Sequence, residues 1–267
     1  MPTNTDTAEY NFIDRTLMGD ERNRTLFDWS PMAIVIINQQ GVFLDANKKL
    51  FEWLGYKPEE IIGKHLTRIP FFPEHTKQTI IQNFTQRLNG KDIPSYEVEF
   101  IHKDGASKWG EVHGVLLKDT MNQIVFDLVM VSDITERKET MKRLQVSEEK
   151  YRNLFENATD LIQSVNEQGR FVDVNPQWLH TLEYTKDEVV NLHFIDILRK
   201  DQIPHCQDIF YRVSKGETIK NVETIYLSKT GKEILVEGNI SPFFKDGQFI
   251  ATIGIFRDVT DKKKRVT

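Results

Sequence analysis

The alternation of apolar and polar positions predicts the same short elements twice along this chain. Apolar, largely β-branched residues over 32–38 lead into a polar turn at Gly41 and then into the apolar stretch 42–44, which is the pattern of a β-hairpin. The pattern recurs in the second half of the chain, with its turn at Gly169. When the chain is overlaid on itself with a shift of 128 residues, 12 of the 35 positions in 26–60 are identical. A repeat of this length indicates a duplicated globular domain rather than a solenoid.

Helical patterns follow each hairpin. Asn47 and Asn175 are predicted to cap a short helix, because an N-cap side-chain oxygen accepts a free backbone N–H. Apolar residues spaced for one helix face come next, first on this short helix and then on a longer one. These residues are Leu50 and Leu54, then Ile80, Ile81, Phe84 and Leu88, in the first copy, and Trp178 and Leu182, then Cys206, Phe210 and Val213, in the second.

Three strands with tight turns close each copy, at 96–102, 108–117 and 124–131 and again at 223–227, 233–241 and 249–256. This order predicts an α+β fold class, with two domains that each carry a five-stranded antiparallel sheet and short helices on one face. The predicted division is a disordered lead-in (1–20), a first domain (21–136), a linker helix (137–153), a second domain (154–262) and the start of an outgoing helix (263–267).

The linker is rich in charged residues and has no glycine or proline between 136 and 155. Its apolar residues fall on a loose heptad, which favours a helix with modest coiled-coil character. These residues are Ile134, Met141, Leu144, Tyr151 and Phe155. Met141, Leu144 and Tyr151, together with Leu26 and Phe27 in the short helix before residue 32, predict a homodimer that forms through helical segments.

Composition narrows the function classes. Hydrophobic residues make up 39% of the chain and charged residues 28%, which is typical of a globular protein. The net charge is −5, and the sequence shows no cluster of basic residues of the kind that binds nucleic acid. The single cysteine, Cys206, excludes an intrachain disulfide. The longest apolar run, 32–37, is far shorter than a membrane span. We therefore expect a cytoplasmic location, with no nucleic-acid partner.

Four short motifs occur in the same order in both copies. In the first they are Asn-Gln-Gln-Gly-Val-Phe-Leu-Asp-Ala-Asn (38–47), Leu-Gly-Tyr (54–56), Lys-Asp-Gly (103–105) and Asp-Ile-Thr-Glu-Arg (133–137). The second has counterparts at 166–175, 182–184, 229–231 and 258–262. With these motifs the chain resembles the PAS family of sensory domains, twice. It departs from that pattern where Glu183 and Asn191 replace Gly55 and Gly63, so those turns need another solution for a left-handed backbone.

The last motif lies where the final strand meets the outgoing helix. Asp133 and Glu136 have the spacing of a capping box, which Asp258 and Asp261 repeat imperfectly. The resemblance implies that this junction carries movement from the sheet to the helix. The candidate transmission residues are Asp133, Thr135, Glu136, Asp258 and Thr260.

No phosphate-binding loop, metalloprotease motif or nucleophile elbow is present, so we expect no catalysis by this chain. The resemblance makes flavin photochemistry unexpected, because stretches 63–68 and 191–196 lack the reactive cysteine. It leaves haem open through His205, which lies 11 residues before Gly216 as in haem-binding relatives, although the neighbouring stripe suggests that this side chain faces outward.

The leading hypothesis is a sensory input module that binds a small ligand or a partner and signals to an effector, such as a histidine kinase. The pocket candidates are Leu50, Leu54, Ile80, Phe84, Trp178, Leu182, Cys206 and Phe210. For Trp178, core packing is the favoured interpretation. Two alternatives are a structural dimerisation module with filled cores and a haem-based gas or redox sensor.

Overall fold

The computed structural model describes residues 21–118, 121 and 123–261, so the predicted lead-in (1–20) and outgoing helix (263–267) lie outside the described residues. In the first half the elements are α1 (Glu21–Asp28), β1 (Ala33–Asn38), β2 (Phe43–Ala46), α2 (Lys48–Leu54), α3 (Glu74–Leu88), β3 (Tyr96–Ile101), β4 (Ser107–Lys118), β5 (Ile124–Asp133) and α4 (Thr135–Glu156). The second half has β6 (Leu161–Asn166), β7 (Phe171–Val174), α5 (Pro176–Leu182), α6 (Lys186–Val189), α7 (Ile203–Ser214), β8 (Ile219–Leu227), β9 (Glu233–Lys245) and β10 (Gln248–Asp258).

Each half forms its own five-stranded antiparallel sheet. The strand order is β2-β1-β5-β4-β3 in the first and β7-β6-β10-β9-β8 in the second. The first and last strands of each half are therefore neighbours at the centre of their sheet, although they are far apart in sequence. The predicted fold class is confirmed.

A separate apolar core fills the space between each sheet and its helices. The first core contains Phe43, Phe71 and Phe100, and the second is built around Trp178, Phe256 and Tyr226. In the first half, α1 also covers part of the opposite sheet face, where Phe27 packs with Ile36, Leu44 and Phe126.

A fully buried asparagine ties the first strand of each half to the short helix that follows the hairpin, α2 or α5. Oδ1 of Asn47 accepts hydrogen bonds from the N–H groups of Ile34 and Leu50, and Nδ2 donates to the carbonyls of Phe27 and Met32. Asn175 accepts from Ile162 and Trp178 in the same way. The two N-cap predictions are confirmed.

Of the two long helices, α3 buries the predicted face, whereas α7 differs from the prediction at one position. In α3, Phe84 is buried and Ile80 is half-buried, as the stripe predicts. In α7, however, Ile209 is buried while Phe210 is only half-buried, so Phe210 lies at the edge of the buried face rather than at its centre. Phe210 instead stacks on Phe194, with ring centroids 5.1 Å apart, at the margin of the core.

Glu183 occupies the same helix-ending turn in the second half as Gly55 does in the first. Both residues have a left-handed backbone, with φ of 64° at Glu183 and 73° at Gly55. The Glu183 carboxylate accepts hydrogen bonds from the hydroxyls of Ser228 and Thr230, which hold the residue in this strained conformation. Asn191, by contrast, does not adopt a positive φ.

Helix α4 includes the whole of the predicted linker segment, 137–153. Ile134 precedes the helix and is buried, whereas Met141, Leu144 and Tyr151 are each at least 60% exposed on it. The apolar residues of the predicted heptad that are exposed to solvent therefore begin at Met141, within the helix. None of the described helices has both the length and the apolar character that a membrane crossing requires. The domain bounds proposed from the sequence remain predictions.

We expect Phe84→Ala to lower the free energy of unfolding of the first core by about 3–5 kcal/mol, because it removes a large buried side chain. Phe210→Ala should cost no more than about 2 kcal/mol, since its side chain is already partly solvated. Ile209→Ala, its neighbour in α7, should cost about 2–5 kcal/mol. Chemical denaturation of the three variants tests this order. A larger loss for Phe210→Ala than for Ile209→Ala would contradict the assigned helix face.

Candidate functional site

Each core encloses a small cavity between its sheet and its long helix. The first has a volume of about 40 Å³ and a wall that is almost entirely apolar, with residues from α2, α3 and all five strands of the first sheet. Arg87 is the one charged residue among the described residues that line it, and Tyr96 supplies the other polar group. An arginine in such a wall is unusual, because arginine is rarely buried without a partner.

The partner of Arg87 is Asp127, on the central strand β5. Nε of Arg87 lies 2.9 Å from Oδ1 of Asp127, and Nη2 lies 2.5 Å from Oδ2. Burial opposes the positive charge of Arg87, but its hydrogen bonds to Asp127 hold its pKa above the ordinary value. Burial also raises the pKa of Asp127, and the guanidinium opposes that shift. The result is a buried ion pair in the wall of the first core.

Gly114 gives the guanidinium its space. A Cβ atom at this position would stand 2.3 Å from Cζ of Arg87, so any side chain here would displace the charged group. Gly114 pairs with Val129 across strands β4 and β5, two residues along the strand from Asp127. The ion pair thus depends on three positions that lie far apart in sequence.

The second core has neutral residues at the corresponding positions. Asp127 lies opposite Ile37 in its sheet and Thr252 lies opposite Val165, and these two partners match in the sequence overlay. On the long helices, Arg87 and Val213 each precede the terminal glycine by three residues. The same strand pairing places Ile240 where the first half has Gly114. The second core therefore replaces the ion pair with a hydroxyl and two apolar side chains.

The cavity of the second core is also about 40 Å³ in volume, and its polar groups are neutral. Gln163, Thr224, Tyr226 and Cys206 are among the lining residues. The Cys206 sulfur lies 3.3 Å from the Thr224 hydroxyl. Burial raises the pKa of the Cys206 thiol, and burial also raises the pKa of Tyr226 well above its ordinary value. This wall offers hydroxyl and amide groups without a charge.

The structure divides the predicted pocket residues into two groups. Five line the cavities: Leu50, Ile80 and Phe84 in the first, and Cys206 and Phe210 in the second. Leu54, Trp178 and Leu182 lie in the packed cores outside the described cavity walls. The indole N–H of Trp178 donates to Oε1 of Gln163 at 2.8 Å, so this tryptophan positions a wall residue from behind.

The structure contradicts the haem hypothesis for His205. This side chain is exposed on α7 and is not among the residues that line the second cavity. A cavity of about 40 Å³ holds about three water molecules, far less than a haem needs. His205 lies in the first turn of α7, one turn before the buried Ile209, and its side chain is exposed at that end of the helix.

The junction between strand β5 and helix α4 is built differently from the predicted capping box. Oδ1 of Asp133 accepts from the backbone N–H of Thr135 at 2.9 Å and from its hydroxyl at 2.5 Å. The Thr135 oxygen in turn accepts from the backbone N–H of Trp109 at 3.0 Å. The helix start is thereby fastened to β4 as well as to β5. Glu136 is exposed and has no described bond to Asp133, so the capping-box prediction is wrong.

The second junction repeats this hydrogen-bond relay. Asp258 accepts from the backbone N–H of Thr260 at 2.9 Å and from its hydroxyl at 2.5 Å. The Thr260 oxygen accepts from the N–H of Leu235 at 3.0 Å, as Thr135 does from Trp109. We call each set an aspartate–threonine relay, formed by Asp133 and Thr135 or by Asp258 and Thr260.

Side chains on the first turns of α4 add a second attachment to the sheet. Arg137 and Lys138 both form ion pairs with Glu97 on β3. The ammonium group of Lys138 also lies 5.0 Å from the centre of the Trp109 ring. The hydrogen bond from Lys138 lowers the pKa of Glu97. The start of the helix therefore touches three strands of the first sheet.

Comparison with known proteins agrees with this arrangement. Residues 27–139 match the family model described as PAS fold, and residues 159–261 match the one described as PAS domain. The chain belongs to the PAS family. It contains two PAS domains in tandem, as the repeated motifs predict.

The chain is similar to parts of two larger proteins and to one crystallised PAS domain. Sporulation kinase E of Bacillus subtilis is 27% identical over 186 residues, which cover 69% of this chain and 24% of that protein. Biofilm dispersion protein BdlA of Pseudomonas aeruginosa is 22% identical over 242 residues, which cover 88% of this chain and 55% of that protein. A crystallised PAS domain from Colwellia psychrerythraea is 26% identical, covers 43% of this chain and 97% of its own, and has a TM-score of 0.39. The chain thus spans about a quarter of the kinase and about half of BdlA.

Sequence reasoning missed the ion pair in the first PAS domain, although a signal was present. Arg87 follows Phe84 by three residues and Ile80 by seven, so it lies on the apolar face of its helix. Asp127 interrupts the apolar run 124–131 in a central strand. Opposite charges that each interrupt an apolar pattern are the expected mark of a buried pair.

We expect the thiol of Cys206 to react slowly with iodoacetamide at pH 8. Burial raises its pKa, so the reactive thiolate is scarce where an ordinary cysteine is partly ionised. Each unit of pKa difference lowers the thiolate fraction by about tenfold. Mass spectrometry of native and urea-unfolded protein gives the two rates. Equal rates in both states would show that the cavity does not protect Cys206.

Proposed function

We propose that this chain is the sensory input module of a signal-transduction protein. In this proposal, the core of a PAS domain takes up a small molecule or responds to a partner. The change in the sheet then passes through the aspartate–threonine relay to the outgoing helix. The chain carries no catalysis of its own, and the effector is a separate domain or protein.

The observation that carries this proposal is the relay and its repetition. In both domains, one threonine oxygen links the helix start to the aspartate that ends the last strand and to the neighbouring strand. A change in the separation of these two strands would alter both bonds at once. Hydrogen bonds of this kind contribute about 0.5–1.5 kcal/mol each, and coupling energies in allosteric proteins are typically about 1–3 kcal/mol.

The relatives support an effector outside this chain. One is named a sporulation kinase, and this chain matches only 24% of it. The remaining length of that relative leaves room for an enzymatic part. We infer by analogy that the two PAS domains act as the input to a kinase or a comparable signalling domain.

A second candidate function, structural dimerisation, is favoured by two observations. The cavities are small, at about 40 Å³ each, so the cores are nearly filled. Helix α4 exposes Met141, Leu144 and Tyr151, which is an unusual concentration of apolar surface for an isolated helix. Helix pairing would cover these residues in either function, so dimerisation alone does not exclude sensing.

The relay is tested by Asp133→Ala, which removes the acceptor for both Thr135 donors. We expect a loss of about 0.5–2 kcal/mol of local stability, seen as faster hydrogen exchange over 136–150 with an intact first core. Asp133→Asn keeps an acceptor oxygen and should exchange more slowly than the alanine variant. Asp258→Ala, the matched change in the second domain, should leave this segment unaffected.

Two results would argue against a transmission role for this relay. One is unchanged exchange over 136–150 in Asp133→Ala. The other is a loss of protection throughout the first PAS domain, which would make Asp133 a general stability residue.

Self-association is tested by Leu144→Lys. Leu144 is 60% exposed, and a lysine in the helix seam would place a charge against an apolar partner. We expect the homodimer to dissociate at concentrations at which the unmodified chain associates, as measured by sedimentation equilibrium. Gln145→Lys adds the same charge outside the stripe and should leave the dimer intact. A wild-type chain that remains monomeric at high micromolar concentration would remove the dimer from the proposal.

A further inference from the structure

The residues at the end of α4 repeat the sequence of α1. The overlay that aligns the two PAS domains places 149–156, Glu-Lys-Tyr-Arg-Asn-Leu-Phe-Glu, on 21–28, Glu-Arg-Asn-Arg-Thr-Leu-Phe-Asp. In each case a connection of four residues leads to the first strand, at 157–160 and at 29–32. We call residues 149–156 the helix end. It belongs to the same compact unit as the second PAS domain.

In the first PAS domain, three kinds of contact dock α1 on the sheet. Nη1 of Arg24 lies 2.6 Å from Oδ2 of Asp45 on β2. The Phe27 carbonyl accepts from Nδ2 of Asn47 at 2.9 Å. The Phe27 ring packs on Leu44, which is only 6% exposed. An ion pair, a backbone carbonyl and an aromatic ring thus fix this helix to its domain.

The helix end carries the same groups without the same contacts. Arg152 and Asp173 match the two residues of the α1 ion pair, but no ion pair among the described residues joins them. Instead they line a groove of about 740 Å³ between the last turns of α4 and the elements β7 and α5. Phe155, which also lines the groove, is half-buried. Val172 is 62% exposed at the position of Leu44.

A buried amide in the second PAS domain lacks a bond that α1 provides in the first. Nδ2 of Asn175 donates to the carbonyl of Asp160 at 3.0 Å, as Nδ2 of Asn47 does to the matching carbonyl. Asn47 makes a further bond to the Phe27 carbonyl, and no described residue gives Asn175 the equivalent acceptor. Asn175 is 0% exposed, and a buried N–H without an acceptor is unfavourable. The acceptor in the matching position is the carbonyl of Phe155.

Two differences in sequence explain why the helix end is held less firmly than α1. The sheet positions that pack on Phe27 with an isoleucine and a phenylalanine are Ser164 and Ala251 in the second domain, so less apolar area is buried there. Away from the sheet, the Phe155 ring stacks on Tyr151, with ring centroids 5.8 Å apart. Helix α1 has an asparagine in place of that tyrosine. Docking is therefore weaker in the second domain, and the undocked state has a stabilising contact of its own.

We propose that the helix end has two positions: the open position of this structure, and a docked position in which it covers the second PAS domain as α1 covers the first. In the docked position Arg152 pairs with Asp173, the Phe155 carbonyl accepts from Asn175, and the groove closes. Because α4 is one helix from 135 to 156, a change at the first aspartate–threonine relay reaches the helix end directly. This inference deepens the proposed function by naming the element that moves, and its role in signalling rests on that function.

The distance between two spin labels distinguishes the two positions. The labels are attached to cysteines introduced at Asn153 and Gln168 in the full chain, with Cys206→Ser to remove the natural thiol. Both labelled residues are exposed, and so is Thr25, which matches Asn153 in the docked α1. A second pair of labels, at Thr25 and Gln40, measures the docked distance in the first PAS domain. We expect two distances for the first pair in pulsed electron resonance, one of them equal to that of the second pair.

Charge reversal tests the ion pair of the docked position. Arg152→Glu should lower the ratio of docked to open chains at least about threefold, because repulsion replaces attraction. Adding Asp173→Arg restores an attractive pair and should return the ratio to within about twofold of its original value. Lys142→Glu makes the same change of charge on α4 outside the groove and should leave the ratio unchanged.

A variant with the opposite effect separates docking from loss of structure. Tyr151→Asn gives the helix end the asparagine of α1 and removes the ring that stacks on Phe155 in the open position. We expect the ratio of docked to open chains to rise at least about twofold. Leu154→Asn is the matched control. Leu154 is 65% exposed, and its counterpart Leu26 is 73% exposed in the docked α1, so the ratio should not change.

Four results would overturn the inference. They are a single distance, at either value, in the labelled chain without further change, an unchanged ratio in Arg152→Glu, no recovery in the double reversal, and a fall in the ratio in Tyr151→Asn. The first measurement needs no change in the groove, so it stands even if a variant fails to fold.

The label experiment and the relay experiment fail separately. A single label distance would overturn the two positions and leave the relay as a transmission element. Unchanged hydrogen exchange over 136–150 in Asp133→Ala would instead overturn transmission through the relay. A ratio that responds to Arg152→Glu and not to Asp133→Ala would keep the two positions and overturn their link to the relay.

Discussion

The fold of each domain depends on one buried asparagine. The Asn47 side chain accepts from the backbone N–H groups of Ile34 in β1 and Leu50 in α2. It donates to the carbonyls of Phe27 in α1 and Met32 just before β1. A buried amide can make these four bonds only if the surrounding backbone stands in one arrangement. In the second domain, Asn175 accepts from two backbone N–H groups in the same way and donates to the carbonyl of Asp160. The strand that Asn47 holds, β1, pairs with β5, which carries Asp127 of the ion pair and Asp133 of the relay.

Much of the fold could be predicted because its signals are local. The hairpin turns, the caps at Asn47 and Asn175 and the spacing of Leu50 and Leu54 all act within a few residues. The duplication then supplied an independent check, since each pattern occurs twice. The facing of α7 could not be predicted in the same way. Cys206, Ile209, Phe210 and Val213 permit two overlapping stripes, and the choice between them is made by the sheet against which the helix packs.

The candidate site was less predictable because its contacts join distant parts of the chain. Arg87 and Asp127 are 40 residues apart, and the space for their contact comes from Gly114 on a third element. The relay shows a related limit. The sequence indicates that Asp133 lies at a helix start, but the role of Thr135 depends on Trp109, which reaches it through strand pairing. Periodicity identifies a face, and it does not reveal which distant backbone group that face meets.

The dependence of the ion pair on three positions also constrains how the two interiors diverged. A change of Arg87 alone leaves Asp127 buried without its partner, which typically costs about 3–5 kcal/mol. A side chain at Gly114 evicts the guanidinium and has a comparable effect. Natural domains have a total stability of only about 5–15 kcal/mol, so each single step would remove a large share of it. A change from the charged interior to the neutral one by single substitutions therefore passes through variants of much lower stability. After the duplication, surface residues of either copy could be substituted one at a time. The residues at the positions of Arg87, Gly114 and Asp127 could change from one kind of interior to the other only together.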